Sequence, residues 1–236
     1  MARTCNSGRH PSLMPLGPVG QESQPQQRIV LWDEFSLRLH RSRQDWGSRS
    51  SDPEQAKRSA RVLFRALESI DTKTAAHSVR VTSMALRFAH HLGLSFKEMQ
   101  TLELTGILHD IGKMAIAADI LEKPEPLAME ELEVIQRHPS IGQTLVEIMG
   151  LQPQKRLILH HHEHWDGQGY PDGLAREEIP FLCQVVGLAD SYDALVSDRP
   201  YRKGRNHRQA LEEIQLSAGT QFSPELTSEF LEMFQF

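Results

Sequence analysis

Leu108-His109-Asp110-Ile111-Gly112-Lys113 lies inside an apolar run, with Thr105-Gly106-Ile107 before it and Met114-Ala115-Ile116 after it. A carboxylate and an imidazole buried together in such a setting cost several kcal/mol unless something compensates them. A metal ion is the simplest compensation. An aspartate has two oxygens and can bridge two cations, and a neutral imidazole supplies one nitrogen. If the run is helical, adjacent side chains point about 100° apart, so the pair splays around one site. The alternative is a hydrogen-bonded core pair, and the rest of the chain decides between the two.

Outward from this stretch the pattern is helical. Ser95-Phe96-Lys97-Glu98 is a capping box that opens the helix carrying Leu102, Leu104, Ile107, Leu108 and the His-Asp pair. Before it, a helix is predicted from about Thr74 to Leu92, with Val79, Val81, Met84, Ala85, Phe88 and Ala89 as its buried stripe and Gly93 at its end. Before that, Asp52 or Ser51 caps a helix with Pro53 in its first turn and Val62, Leu63, Ala66, Leu67 and Ile70 at helical spacing. After the stretch, Pro124 and Pro126 break the chain, and Glu130–Arg137 resumes a helix that Pro139 interrupts. Ile141–Met149 continues as helix, and Pro153 starts another that runs into His160-His161-His162-Glu163-His164. A glycine-rich loop follows, Asp166 to Gly173. Ile179–Val196 reads as a fully buried helix, and the segments Arg208–Ser217 and Ser223 onward give two closing helices. No alternating strand series occurs, so the fold class is all-α, a multi-helix bundle around a central site.

Residues 1–27 are rich in Pro, Gly, Gln and Ser and read as disordered. Ile29-Val30-Leu31-Trp32, with Phe35, Leu37 and Leu39, forms a short apolar patch that either docks on the main domain or remains from a linker. Residues 41–53 again look like a linker. The expected organisation is a leader over 1–50 and a helical domain over 51–236. A net charge of −5 provides no whole-protein basic field for nucleic acid, so DNA is not an expected partner. Cys5 and Cys183, far apart and without a C-x-x-C pair, argue against a disulfide scaffold or a thiolate zinc site. With no apolar run of membrane-spanning length and no signal-peptide pattern, the expected location is cytoplasmic.

Seven polar residues stand in these apolar helices: His77, His109, Asp110, His138, His161, His162 and Asp190. Each alone has an ordinary explanation as a surface, turn or hydrogen-bonded residue. Together, spread over five predicted helices, they are a ligand set without thiolates, suited to zinc, iron or manganese. His160 and His164 read as peripheral. A bridging aspartate suits two ions roughly 3.5–4 Å apart, a spacing that serves phosphate-ester hydrolysis. The glycine-rich loop allows close backbone approach of a substrate, and Arg199, Arg202 and Lys203 offer positive charge for phosphate.

In the stretches His77-Ser-Val-Arg80, His109-Asp110-Ile-Gly112-Lys113, His138-Pro139, His161-His162-Glu163, Asp166-Gly-Gln-Gly169-Tyr170-Pro171, Asp190-Ser-Tyr-Asp193 and Asp198-Arg199-Pro200-Tyr201-Arg202, the chain from about residue 55 onward resembles the HD-GYP branch of the HD-domain phosphohydrolases. The resemblance implies an all-helical domain with a two- or three-metal centre, commonly iron or manganese. It also implies hydrolysis of cyclic di-GMP to the linear dinucleotide, and in some members on to GMP, in bacterial second-messenger signalling. By position, the seven residues would be metal ligands with Asp110 bridging, and Lys113 would assist phosphate charge or proton transfer. Gly169, Tyr170 and Pro171 would shape the substrate site, Arg199 and Arg202 would hold phosphate, and Asp193 would support a ligand histidine. Members with a third metal carry a glutamate one turn before the first ligand histidine. Lys73 stands there, so two divalent ions are expected, iron or manganese.

Two other readings stay open. One is a metal-retaining signalling domain that binds a nucleotide or a protein, such as a diguanylate cyclase or a sensor or receiver protein. The other is a phosphohydrolase acting on another nucleotide.

Overall fold

The computed structural model describes residues 52–198 and 203–234. The expected leader and its apolar patch lie outside the described residues, as do Arg199 and Arg202. Helix α1 is Pro53–Ile70, α2 Thr72–His91 and α3 Phe96–Leu108. A 3-10 helix, Ile111–Ala115, and the short helices α4 (Ala118–Leu121) and α5 (Met129–Ile135) follow. Then come α6 His138–Ile148, α7 Gln152–Leu159, α8 Phe181–Val196, α9 His207–Leu216 and α10 Pro224–Glu232. Among the described residues no β-strand forms, and no helix is long and apolar enough to cross a membrane.

The helix starts follow local chemistry. Asp52 accepts from Glu54 N–H at 3.1 Å, and Pro53 opens α1 where no amide donor is missed. Asp71 closes α1 through its own N–H to Leu67 O and caps α2 by accepting from Thr74 N–H. At α3 the predicted capping box is complete: Glu98 N–H donates to Ser95 Oγ, and the Glu98 carboxylate accepts from Ser95 N–H at 2.8 Å.

The core is built mainly from α2, α3, α8 and the last two helices. Val81, Ala85, Phe88 and Ala89 of α2 pack with Leu102 of α3, with Val185, Val186, Leu188 and Ala189 of α8, and with Ile214 and Phe230. Phe88 and Phe230 meet edge to face with centroids 5.0 Å apart, the geometry that the ring quadrupoles favour.

Four expectations are corrected. Val62 and Ile70 are 60% and 63% exposed; the buried face of α1 is Ser59, Ala60, Leu63 and Leu67, one turn-step round the helix. Val79 and Met84 are only half-buried, and the inner face of α2 instead includes Ser78, Thr82 and Leu86. Helix α8 is not buried all round, since Phe181 is exposed and Gln184, Gly187 and Ser191 are half-buried. Pro139 does not interrupt a helix; it stands at the second position of α6, where its lost N–H has no helical acceptor to miss.

Candidate metal centre

Helix α3 ends at Leu108, so His109 is its C-cap and Asp110 lies in the turn before the 3-10 helix. The expected placement of both on one helix is thereby corrected. The run from His160 likewise begins where α7 ends at Leu159. Helix ends suit these residues because the last carbonyls of a helix lack intrahelical donors. His109 Nδ1 faces Gly106 O, His138 Nδ1 faces Ile135 O, and His161 Nδ1 faces Ile158 O, each at 2.7 Å. A carbonyl only accepts, so in all three rings Nδ1 carries the proton and Nε2 presents a lone pair.

Those lone pairs converge. The Nε2 atoms of His138 and His161 are 3.3 Å apart, two acceptors facing each other with no proton to share. His109 Nε2 and Asp110 Oδ1 are buried and make no hydrogen bond. One group of ligand atoms comes from Asp110, His138, His161 and His162, a second from His77, His109 and Asp190, each group within 4.8 Å. Asp110 stands between them. Its Oδ1 lies 3.2 Å from His138 Nε2, and its Oδ2 lies 3.4 Å from His109 Nε2 and 3.7 Å from His77 Nε2. Orphaned buried acceptors of imidazole and carboxylate type are what a divalent cation satisfies, so the residues present fit a metal centre. All seven predicted ligands are brought together here.

The charges are balanced across the cluster. Burial pushes the Asp110 carboxyl up, but positive charge beside it, the Lys113 ammonium first, holds it well below the usual range. Lys113 Nζ is 2.7 Å from Asp110 Oδ2. Burial drives His161 well down and takes His162 down to about 3, so both rings are neutral at neutral pH. Burial also pushes His77 downward, but hydrogen bonds to the Asp190 and Asp193 carboxylates outweigh it and raise the ring to about 9. His77 Nε2 is 3.0 Å from Asp190 Oδ1, and Nδ1 is 2.7 Å from Asp193 Oδ2.

Asp193 is in turn gripped by Arg80, with Nε and Nη2 at 2.7 and 2.9 Å from its two oxygens. Sequence reasoning gave Arg80 no role. The available signal was the three-residue step from His77, which puts both on one face of α2.

The glycine-rich loop folds back over the histidine run. At Gly169 a Cβ would collide with the His164 amide, Glu163 Cα and the His162 carbonyl. The missing side chain lets Tyr170 N–H reach His162 O at 3.2 Å and lets the Tyr170 ring stack on His162, centroids 4.8 Å apart at 27°. Burial, then the Asp110 and Asp190 charges, push the Tyr170 phenol up, so it keeps its proton at neutral pH. Pro171 follows through a cis peptide and is exposed. Lys73 points away from this chemistry, paired with Glu122 at 2.8 Å on the surface. His160 faces Asp172 and the Arg156 carbonyl rather than the ligands.

Residues 60–226 match the HD domain family. A cyclic di-GMP phosphodiesterase of Thermotoga maritima is 38% identical over 181 residues, covering 72% of this chain and 49% of the relative. A 3′3′-cGAMP-specific phosphodiesterase 2 of Vibrio cholerae is 36% identical over 176 residues, covering 72% of this chain and 33% of the relative. The chain thus spans half or less of the length of these curated relatives. Among solved structures, the HDG"Y"P protein Bd1817 of Bdellovibrio bacteriovorus shares the fold with a TM-score of 0.59 at 16% identity, covering 90% of this chain and 82% of that one.

Proposed function

The chain belongs to the HD-domain family, and on that premise we propose that it is a metal-dependent phosphodiesterase that hydrolyses cyclic di-GMP to linear pGpG. The observation that carries the reading is the Asp110 carboxylate, with one ligand group at each oxygen and the Lys113 ammonium at 2.7 Å. His77, His109 and Asp190 would hold one divalent ion and His138, His161 and His162 the other, with Asp110 shared between them. The donors are imidazoles and carboxylates, a set that accepts zinc, iron or manganese, and the resemblance to the HD-GYP branch favours iron or manganese among them. The Lys73–Glu122 pair, in place of an anion one turn before His77, supports two ions rather than three. When bound, such ions lower the pKa of a water and take up charge on the phosphoryl oxygens.

The chain's own residues do the rest. Lys113, beside Asp110, offsets charge gathering on the phosphate or assists proton transfer to the departing 3′ oxygen. Overall, water gives hydroxide to phosphorus, the P–O3′ bond breaks, and the leaving oxygen gains a proton. Tyr170, protonated and stacked on His162, donates to a sugar oxygen at the guanine and sugar end of the substrate, while Gly169 and Pro171 set the loop that presents it. Arg199 and Arg202 complete the phosphate grip in this reading. The catalytic unit is residues 51–236, and the setting is the cytoplasm.

The test is turnover of cyclic di-GMP by protein purified without oxygen and supplied with Mn²⁺ or Fe²⁺, with products separated by chromatography. Linear dinucleotide or GMP is expected, and none from Asp110→Asn. No product from metal-loaded protein overturns the reading. Product from Asp110→Asn overturns the ligand assignment. The similarity to a relative named for 3′3′-cGAMP makes that nucleotide the second substrate to assay, and a higher kcat/KM on it would reassign the substrate.

A further inference from the structure

His160 sits inside the histidine run, yet both of its ring nitrogens are engaged away from the metal ligands. Nδ1 lies 3.0 Å from Arg156 O, and Nε2 lies 2.9 Å from Asp172 Oδ2. Asp172 is on the far limb of the glycine-rich loop, just after Tyr170-Pro171. That limb is held a second time from the same run. The buried Glu163 carboxylate accepts from Asp172 N–H at 2.9 Å and from Leu174 N–H at 3.1 Å. On the near limb, Tyr170 N–H donates to His162 O, and the loop backbone at Gly169 is pressed against residues 162–164. The members of the run therefore divide their work. His161 and His162 face the metal centre, and His160 and Glu163 face the loop.

We propose that His160 and Asp172, with Glu163 beneath them, are positioning residues that hold the Gly169–Pro171 loop closed on the metal centre and so fix the Tyr170 ring on His162. The proposal rests on the phosphodiesterase reading above for the identity of the substrate. A stacked, immobile Tyr170 presents its hydroxyl without first losing rotamer freedom, so its contact with a cyclic dinucleotide is made at lower entropic cost. Releasing the far limb frees Tyr170 without touching a ligand. Substrate binding then weakens while the chemistry at phosphorus is left intact.

The experiment compares wild type with His160→Gln, Asp172→Ala and Asp172→Asn, all loaded with Mn²⁺. Asp172 is on the surface, with its side chain 55% exposed, so its replacement leaves the core in place. Three quantities are read: KM and kcat on cyclic di-GMP, kcat/KM on bis(p-nitrophenyl) phosphate, which has no sugar or guanine for Tyr170 to contact, and hydrogen exchange of the Asp172 and Leu174 amides. For Asp172→Ala and His160→Gln, KM on the cyclic dinucleotide rises roughly tenfold, the worth of one lost charged hydrogen bond, and kcat stays within about twofold. The small diester and the metal content are unchanged, and the loop amides exchange faster. Asp172→Asn, which keeps an acceptor oxygen, recovers most of the KM. Equal losses on both substrates with lower metal content, or no change in KM and exchange, overturn the proposal. If wild type turns over neither substrate, the phosphodiesterase reading has failed, and the exchange rates alone decide whether this brace holds the loop.

Discussion

Three histidines of the metal centre repeat one local device. His109, His138 and His161 each spend Nδ1 on the carbonyl three residues earlier. That carbonyl belongs to the end of the preceding helix, or to its last residue in the case of Ile135. The bond sets the tautomer and aims Nε2 inward without any long-range partner. His77 differs, because its Nδ1 depends on Asp193, far away in sequence, and Asp193 depends on Arg80. Asp193→Ala is therefore expected to lower Mn²⁺ affinity about 10–100-fold, the usual effect of losing such a supporting group, with helical circular dichroism unchanged. Titration of chelator-stripped protein measures it, and unaltered affinity would mean that His77 is oriented by something else. A second expectation concerns Arg176, which is held at φ 53. A side chain there costs on the order of 1 kcal/mol, so Arg176→Gly should leave stability equal or slightly raised in urea melts, and a clear loss would show that the arginine side chain has a stabilising role.

Between elements, one close approach sets the centre. Gly112 lies so near the start of α6 that a Cβ would overlap the His138 carbonyl. This contact draws the turn carrying Asp110 up to His138. Gly112→Ala must push α6 away, and backbone has no rotamer with which to yield. The expected cost is on the order of 1–3 kcal/mol, as for overpacking in a core, together with loss of tight metal binding. Chemical denaturation and metal analysis of the purified variant read both, and wild-type metal content with unchanged stability would refute the close packing.

Away from the metal site, Glu103 on α3 is 2% exposed, and one carboxylate oxygen is buried without a hydrogen bond. Burial raises its pKa from 4.5 to about 7, with the Lys57 charge opposing. The folded protein therefore binds this proton more tightly than the unfolded chain. Stability contributed by the protonated form is complete below about pH 4.5 and is lost as pH climbs to about 7, on the order of 3 kcal/mol in all. Glu103→Gln should flatten that segment of the stability–pH curve and raise the melting temperature at pH 7.5. An unchanged slope would show that Glu103 is ionised in the folded state.

For the molecule as a whole, the candidate ligands come from α2, the turn after α3, the start of α6, the turn after α7, and α8. A cation held by all of them would add a further tie to elements that otherwise meet through apolar packing and the His77–Asp190, His77–Asp193 and Arg80–Asp193 pairs. Because metal binds the folded state, it should add about 2.7 kcal/mol at a hundredfold excess over Kd. Chelation should accordingly lower Tm by several degrees, and restoring Mn²⁺ should recover it. A Tm indifferent to chelator and to Mn²⁺ would argue against a bound centre.

Much of this architecture is legible in the amino-acid order. Asp52-Pro53, the Ser95–Glu98 box and Ser223-Pro224 mark helix starts, because a cap is a contract between neighbours two or three residues apart. The seven candidate ligands stand out because each is a polar residue in an apolar surrounding. What the order of residues leaves open is where helices stop and how closely they meet. The ends of α3 and α7, which put His109 and His161 on turns, follow from imidazoles competing for terminal carbonyls. The closeness of Gly112 to α6, of Gly169 to the histidine run, and of Asp193 to His77 depends on the volumes of side chains remote in sequence. Local hydrogen bonding fixes the elements and, in His109, His138 and His161, which nitrogen faces inward; packing between distant segments brings His77 to Asp193 and decides which oxygen and which loop face one another.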